Sequence, residues 1–427
     1  MGAAWPVAAQ INPYQQAPPP SASDTDDDGV SAGGSVPGLS GFNGRGLAVS
    51  AAINSRYESN LARRQPADDG LRFQPRISAD YGLGSSRLGF FVGGSYGRDI
   101  ILGNRFFAGG NRSSANAGVD FQLSRCGGEA GGSFRRSLNL RADSTLFGAF
   151  QQESTAYGIG VRCQIGRALS INAGYTSTSA QTERGTSQAL NVDAKTITGG
   201  VTFDGRGLGL FSLSGSLGDL DFPGRLVVSP DGLVEDGLEQ RTLRAGYIRR
   251  FGARLVISLG VSLLDNQPGV RSSLVIIDGI PQFVDRSGFT GLGYDVSTDL
   301  QLSSRLGLSF SATRNVNSNP FVGSFLVISD GYAVSANTKL GRYDLAAGAR
   351  VRRSEFQGAF ASEFDPLPRR NDTLQSYFIR LGGRIGNRIR ATVEVNHNRR
   401  RGNPAIFNFN STGVGLNLST AFGRGSR

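Results

Sequence analysis

Arginine is the residue type with which this 427-residue chain could do the most chemistry. Of its 45 basic residues only Lys195 and Lys339 are lysine, and 34 acidic residues leave a net charge of +11. A guanidinium stays charged at physiological pH and binds carboxylate or phosphate through two parallel hydrogen bonds, so a gathering of arginines reads as anion recognition. They form no single basic block and no nucleic-acid recognition motif accompanies them, which sets nucleic-acid binding aside. Two cysteines, Cys126 and Cys163, and one histidine, His397, leave almost nothing for a zinc site. His397 lies in Asn396-His397-Asn398, with Ser411 and Thr412 on the next strand. A nucleophilic site needs a base, a hydroxyl and an orienting group within hydrogen-bond reach. Ser411, in Phe409-Asn410-Ser411-Thr412-Gly413, has no Gly-x-Ser-x-Gly context, so a solvated interfacial histidine is the plainer reading. Asp24, Asp26, Asp28 and Gly29 imitate half of a calcium loop, but Ser35 stands where a bidentate Glu is needed. That stretch reads as an acidic linker. No cofactor, no metal and no catalytic residue is expected.

The elements that must position the arginines are strands. Ile389, Ala391, Val393 and Val395 alternate with Arg390, Thr392, Glu394 and Asn396, and after a turn at Asn403-Pro404 come Val414, Leu416, Leu418 and Phe422. A period of two places successive side chains on opposite faces of a strand. Each strand runs to about ten residues or more, the length of a membrane-spanning barrel strand. No apolar run is long enough for a transmembrane helix. The last strand ends on an aromatic residue, Phe422, and so resembles the C-terminal strand of bacterial outer-membrane barrels.

Two kinds of connection alternate strictly from about Gly46 onward. Short ones include Gly84-Ser85-Ser86, Gly166-Arg167, Phe251-Gly252-Ala253, Gly341-Arg342 and Gly386-Asn387, while longer polar ones lie near 58–70, 98–113, 221–239, 266–287 and 355–372. Short turns on the periplasmic side and long loops outside are how outer-membrane barrels are built. The fold class expected is all-β: a transmembrane antiparallel β-barrel of about 18 strands (16–18), spanning 46–422, with both termini periplasmic and a short tail at 423–427. Residues 1–9 read as the remnant of a signal peptide, and 10–45, rich in Pro, Asp and Gly, as a flexible periplasmic arm.

Alternation also assigns faces. Leu255, Ile257, Leu259, Val261 and Leu263 turn outward, as do Tyr377, Ile379 and Leu381. The inward sets hold Arg135 and Arg141, Arg244, Arg250 and Arg254, Arg305, Arg350 and Arg352, Arg380 and Arg384, and Arg388 and Arg390, with Asp344 and Glu394 as the clearest acidic companions. A charge facing lipid at the midplane costs a few kcal/mol, which fixes this parity. The excess of arginine predicts a lumen that favours anions. About half of the arginines are expected in structural ladders with lumenal acids. Cys126 and Cys163 fall near the same end of successive strands with outward parity, which suits a cross-strand disulfide in an oxidising periplasm. The loop at 266–287, with Val275-Ile276-Ile277 and Ile280-Pro281, is a candidate to fold inward and narrow the pore.

A Gly- and Arg-rich barrel behind a Pro/Asp/Ser arm, with hairpins that start small-Arg-apolar (Ser304-Arg305-Leu306, Asn387-Arg388-Ile389), resembles the β-barrel porin 2 family over about 46–422. The resemblance implies an outer-membrane exit for an exopolysaccharide, with an Arg-lined lumen suited to an acidic polymer. It also implies a partner, a periplasmic polysaccharide export or co-polymerase protein, beside the outer-membrane lipid. A passive anion-preferring diffusion porin is the alternative on the same fold. A membrane-embedded lipid-modifying enzyme and a purely structural barrel are the remaining classes.

Overall fold

The computed structural model describes residues 46–61, 67–85, 87–104, 109–141, 148–182, 191–205, 207–277, 280–286, 288–318, 326–357, 371–386, 388–403, 405 and 408–423. The expected signal remnant, the arm, the acidic stretch within it and the tail beyond Gly423 lie outside these residues. So do the side chains of Arg141 and of Val275-Ile276-Ile277.

The wall begins with β1 (Gly46–Glu58), β2 (Gly70–Gly84), β3 (Leu88–Leu102), β4 (Gly110–Leu123), β5 (Cys126–Arg141) and β6 (Gly148–Ile165). It continues through β7 (Leu169–Thr182), β8 (Val192–Gly205), β9 (Gly209–Ser229), β10 (Gly232–Phe251) and β11 (Leu255–Pro268). A separate hairpin follows, β12 (Ser272–Ile277) with β13 (Ile280–Asp285). The wall then resumes with β14 (Phe289–Gln301), β15 (Leu306–Ser318), β16 (Leu326–Leu340) and β17 (Tyr343–Gln357). It ends with β18 (Asn371–Ile385), β19 (Ile389–Asn403) and β20 (Phe409–Gly423). All wall strands join one 18-stranded antiparallel sheet. β20 pairs with β1 from Ala48↔Gly423 to Glu58↔Gly413, which closes the barrel. In hydrocarbon an unpaired backbone group costs several kcal/mol, so only such a closed sheet can span with strands.

Both ends of the wall strands carry their expected chemistry. On the side where β1 begins and β20 ends, tight turns use left-handed residues, Gly341 and Gly386 at φ 64° among them, because a Cβ opposes that conformation. Ser124, at φ 54°, is the non-glycine exception. The outward face is apolar and exposed, for example Ile197, Leu213, Val261, Leu292 and Ile379. Near the short turns it carries Phe90, Phe203, Phe211, Tyr343 and Phe422. Well along the strands, toward the long loops, it carries Tyr96, Tyr157, Tyr332 and Tyr377. These are two aromatic girdles bounding an apolar belt.

Cys126 and Cys163 are directly opposed on β5 and β6 near the short turns, and their sulfurs are bonded. Alkylation of the denatured protein before reduction should therefore modify neither cysteine, and after reduction both. Modification without reductant would mean that the thiols are unpaired in the membrane.

Candidate functional site

The candidate site is the inner wall, and its two halves differ. On the periplasmic half, Arg384 of β18 faces Arg390 of β19 directly, both exposed to the lumen. Arg390 donates to Asp344 of β17 at 2.8 Å, two strands away. It can do so because Gly382 stands between them on β18 with no side chain in the way. Arg244 of β10 reaches Asp295 of β14 in the same manner, with two hydrogen bonds of 3.1 and 2.6 Å across β11. The gap here is Gly260, where a Cβ would collide with the Asp295 carboxylate. Arg380 pairs with Glu394 at 2.6 and 2.8 Å across one strand boundary. Half-exposed pairs of this kind contribute roughly 0–1 kcal/mol each, too little to decide the fold. Their effect is positional: they hold guanidiniums flat along a water-filled wall.

Acids occupy another sector of the same face. Asp80 of β2 leans over Gly93 toward Asn116, and Asp120 of β4 stands opposite Glu129 of β5. Carboxylates thus gather on β2–β5, beside the inward Arg76 and Arg135, while β18 and β19 carry the exposed and opposed Arg384 and Arg390.

The extracellular half is packed. Asp99 of β3 is fully buried and accepts from Arg72 at 3.3 Å, from Gln74 and from Arg112. On the far side of the β20–β1 seam, Arg400 meets Asp372 at 3.4 Å, both buried. Between these polar clusters Ala194, Leu220 and Leu238 form an apolar inward row across β8, β9 and β10, extended by Val192 and Phe222. Leu326, the first residue of β16, is fully buried in the same cluster, and Phe289 and Val316 pack against it. β11, β14 and β15 stand between β10 and β16 around the wall, so this contact crosses the mouth. The β12–β13 hairpin packs on β9 beside it, with Arg286 bound to Asp236 by bonds of 2.6 and 3.1 Å. The apolar material that narrows the mouth is therefore Phe222, Leu238, Phe289 and Leu326, while the 266–287 hairpin braces the extended β9–β10 pair.

The arginines expected in the lumen separate into groups. Arg135, Arg244, Arg250, Arg350, Arg352, Arg380, Arg384 and Arg390 occupy inward positions of the wall. Arg254 and Arg305 lie in short turns at the periplasmic rim. Arg388 departs from expectation: its guanidinium lies 5.8 Å from the ring of Phe422, which belongs to the outer girdle. A turn residue is not bound by strand parity, and here it wraps the rim. The inward Arg56, Arg72, Arg76, Arg112, Arg162 and Arg400 escaped the sequence reading, although alternation around Ile53 and Ile77 carried the signal. His397 Nδ1 is 2.9 Å from Thr412 Oγ1 on the outer face, with Tyr377 on its other side. Ser411 points to the opposite face and is buried, so the base and that hydroxyl are not brought together. A lipase assay on His397→Ala should equal the wild type.

Two substitutions test the packed half. Asp99→Ala removes the shared acceptor of buried guanidiniums and should cost about 3–5 kcal/mol, read as a lower unfolding temperature on heat-shifted gels. Phe222→Ala removes a large side chain from the mouth cluster. It should cost about 3 kcal/mol and raise single-channel conductance; an unchanged conductance would place the constriction elsewhere.

No protein-family profile matches the sequence, and no curated protein does. Among solved structures, OccAB2 of Acinetobacter baumannii is similar with a TM-score of 0.48 and 10% identity, over 88% of this chain and 98% of that one. Pseudomonas aeruginosa OpdK, solved with vanillate, gives 0.49 and 11% over 88% and 99%, and P. aeruginosa OccK2 (OpdF), solved with glucuronate, 0.48 and 8% over 88% and 98%. At these scores and identities the likeness carries no functional argument. The closed 18-stranded wall, its apolar belt and its two aromatic girdles make this chain a porin-sized β-barrel of the bacterial outer membrane.

Proposed function

We propose that the barrel is a passive diffusion pore with a preference for small anions. The observation that carries this reading is the stretch of inner wall from β17 to β19. There Arg384 and Arg390 stand exposed and opposed, and Asp344 engages one of them. A barrel of this strand number leaves an aqueous channel, and fixed guanidiniums on its wall raise the local concentration of anions. Exposed, half-neutralised charges attract a passing carboxylate without trapping it, as conduction requires. The packed extracellular half favours small solutes over export of an acidic polysaccharide, since a polymer needs a continuous bore past Leu220, Leu326 and Phe222.

Reversal potentials in a salt gradient across a planar bilayer test the reading. Arg384→Glu with Arg390→Glu should lower the anion-to-cation permeability ratio by about two- to threefold or more, and Asp344→Asn should raise it. A ratio unmoved by the reversal would remove these arginines from the selectivity path. Added acidic polysaccharide should leave the conductance unchanged, and a flickering block would restore polymer export as the better reading.

A further inference from the structure

The lipid-facing wall also carries guanidiniums, and they are not spread evenly. On β19 the outward positions run Val393, Val395, His397, Arg399 and Arg401, so the strand passes from the apolar belt into a run of cations. On β17 the outward Arg353 stands beside Thr373 of β18, whose other neighbour is Arg401. Arg353, Arg399 and Arg401 are exposed. With strands spaced about 4.8 Å apart, Arg353 and Arg401 are roughly 10 Å apart at their backbones, a span that two long side chains can close around one phosphate. Directly below lie Tyr377, His397 and Thr412, with Tyr377 in the upper aromatic girdle. That sets the depth of the cations at the boundary between acyl chains and headgroups.

Among the described residues two acids share this face. Asp330, opposite Arg353, already takes Arg314 at 3.9 Å and Tyr294 at 3.4 Å. Glu355 lies further out, beside Asn371. Elsewhere at this height the balance differs: Asp193, Asp219, Asp221, Glu239 and Asp265 crowd β8–β11 with Lys195 and Arg241 among them, Arg136 is paired with Glu153, and Arg98 stands alone on β3. Cations therefore concentrate in the β17–β19 sector.

From this juxtaposition we infer that the extracellular edge of β17–β19 is a binding site for a phosphate-bearing lipid headgroup of the outer leaflet. Arg353 and Arg401 clamp the phosphate around Thr373, Arg399 adds a third donor, and the apolar surface below takes the acyl chains. The site is independent of what passes through the lumen.

Native mass spectrometry of the detergent-purified protein, titrated with bisphosphorylated lipid A and with its dephosphorylated form, tests the inference. The wild type should retain the phosphorylated lipid about tenfold more tightly, and Arg353→Gln/Arg399→Gln/Arg401→Gln should erase that preference. Arg241→Gln, an outward cation at similar height on β10, should keep it. Arg399→Gln alone, with a partial loss expected, serves if the triple variant does not fold as judged by heat-shifted migration. Inorganic phosphate at equal concentration should not displace the lipid. Equal retention of both lipids, loss in the Arg241→Gln variant, displacement by free phosphate, or a change in self-association instead of lipid binding in the triple variant would each overturn it.

Discussion

The pairing of β20 with β1 is the interaction on which everything else depends. A sheet that spans hydrocarbon has no water at its edges, so each wall strand must find a neighbour on both sides. Closure then separates two solvents, and the two-residue period of a strand sorts the sequence between them. Val393 and Val395 meet acyl chains while Arg390, Thr392 and Glu394, from the same strand, meet the lumen. A residue slip in any one ladder would exchange those faces along its strand, at a few kcal/mol per guanidinium turned into lipid. Register is thus held by the solvent difference more than by any ion pair within the wall.

Within that constraint glycine decides where lumenal charges can meet. Neighbouring strands present opposed side chains, and a pair such as Arg380–Glu394 needs nothing further. A pair two strands apart needs the intervening position to be empty. Gly260 and Gly382 supply that gap for Arg244–Asp295 and Arg390–Asp344. The 61 glycines of the chain are therefore not only turn formers. Where they face inward they let long side chains lie along the wall, which leaves the lumen wider than the same residues would in a wall of larger neighbours.

The strand pattern, the alternation of turns and loops and the strand number were legible because each depends on near neighbours in sequence. Parity alone placed Arg384 and Arg390 on one face. What parity could not supply was the ring order of strands and the register between them. Asp295 lies 51 residues beyond Arg244, and only the β10–β11–β14 register reveals them as partners. Leu326 offers no sequence cue that it joins the cluster of Leu220 and Phe222 across the mouth. Arg388 failed for a related reason, since a turn residue obeys neither face. The buried set of Arg72, Asp99 and Arg112 needed three ladders to be assembled before its charges could be seen to converge.

The width of the lumen matters for how charge can act at all. An 18-stranded wall is roughly 35 Å across between backbones by strand spacing and tilt, whereas a fixed charge is screened over about 8 Å in physiological salt. A guanidinium on β18 is then nearly invisible to an ion across the lumen, beside Asp120 and Glu129. Selectivity by Arg384 and Arg390 requires that solutes be steered close to their side of the channel. The packed extracellular half narrows the route before it reaches them, because the cluster runs across the mouth from Leu220 on β9 to Leu326 on β16. On the proposed anion pore, steric narrowing above and charge below act in series: a solute that has passed the mouth feels the arginines only within a screening length of the β17–β19 wall.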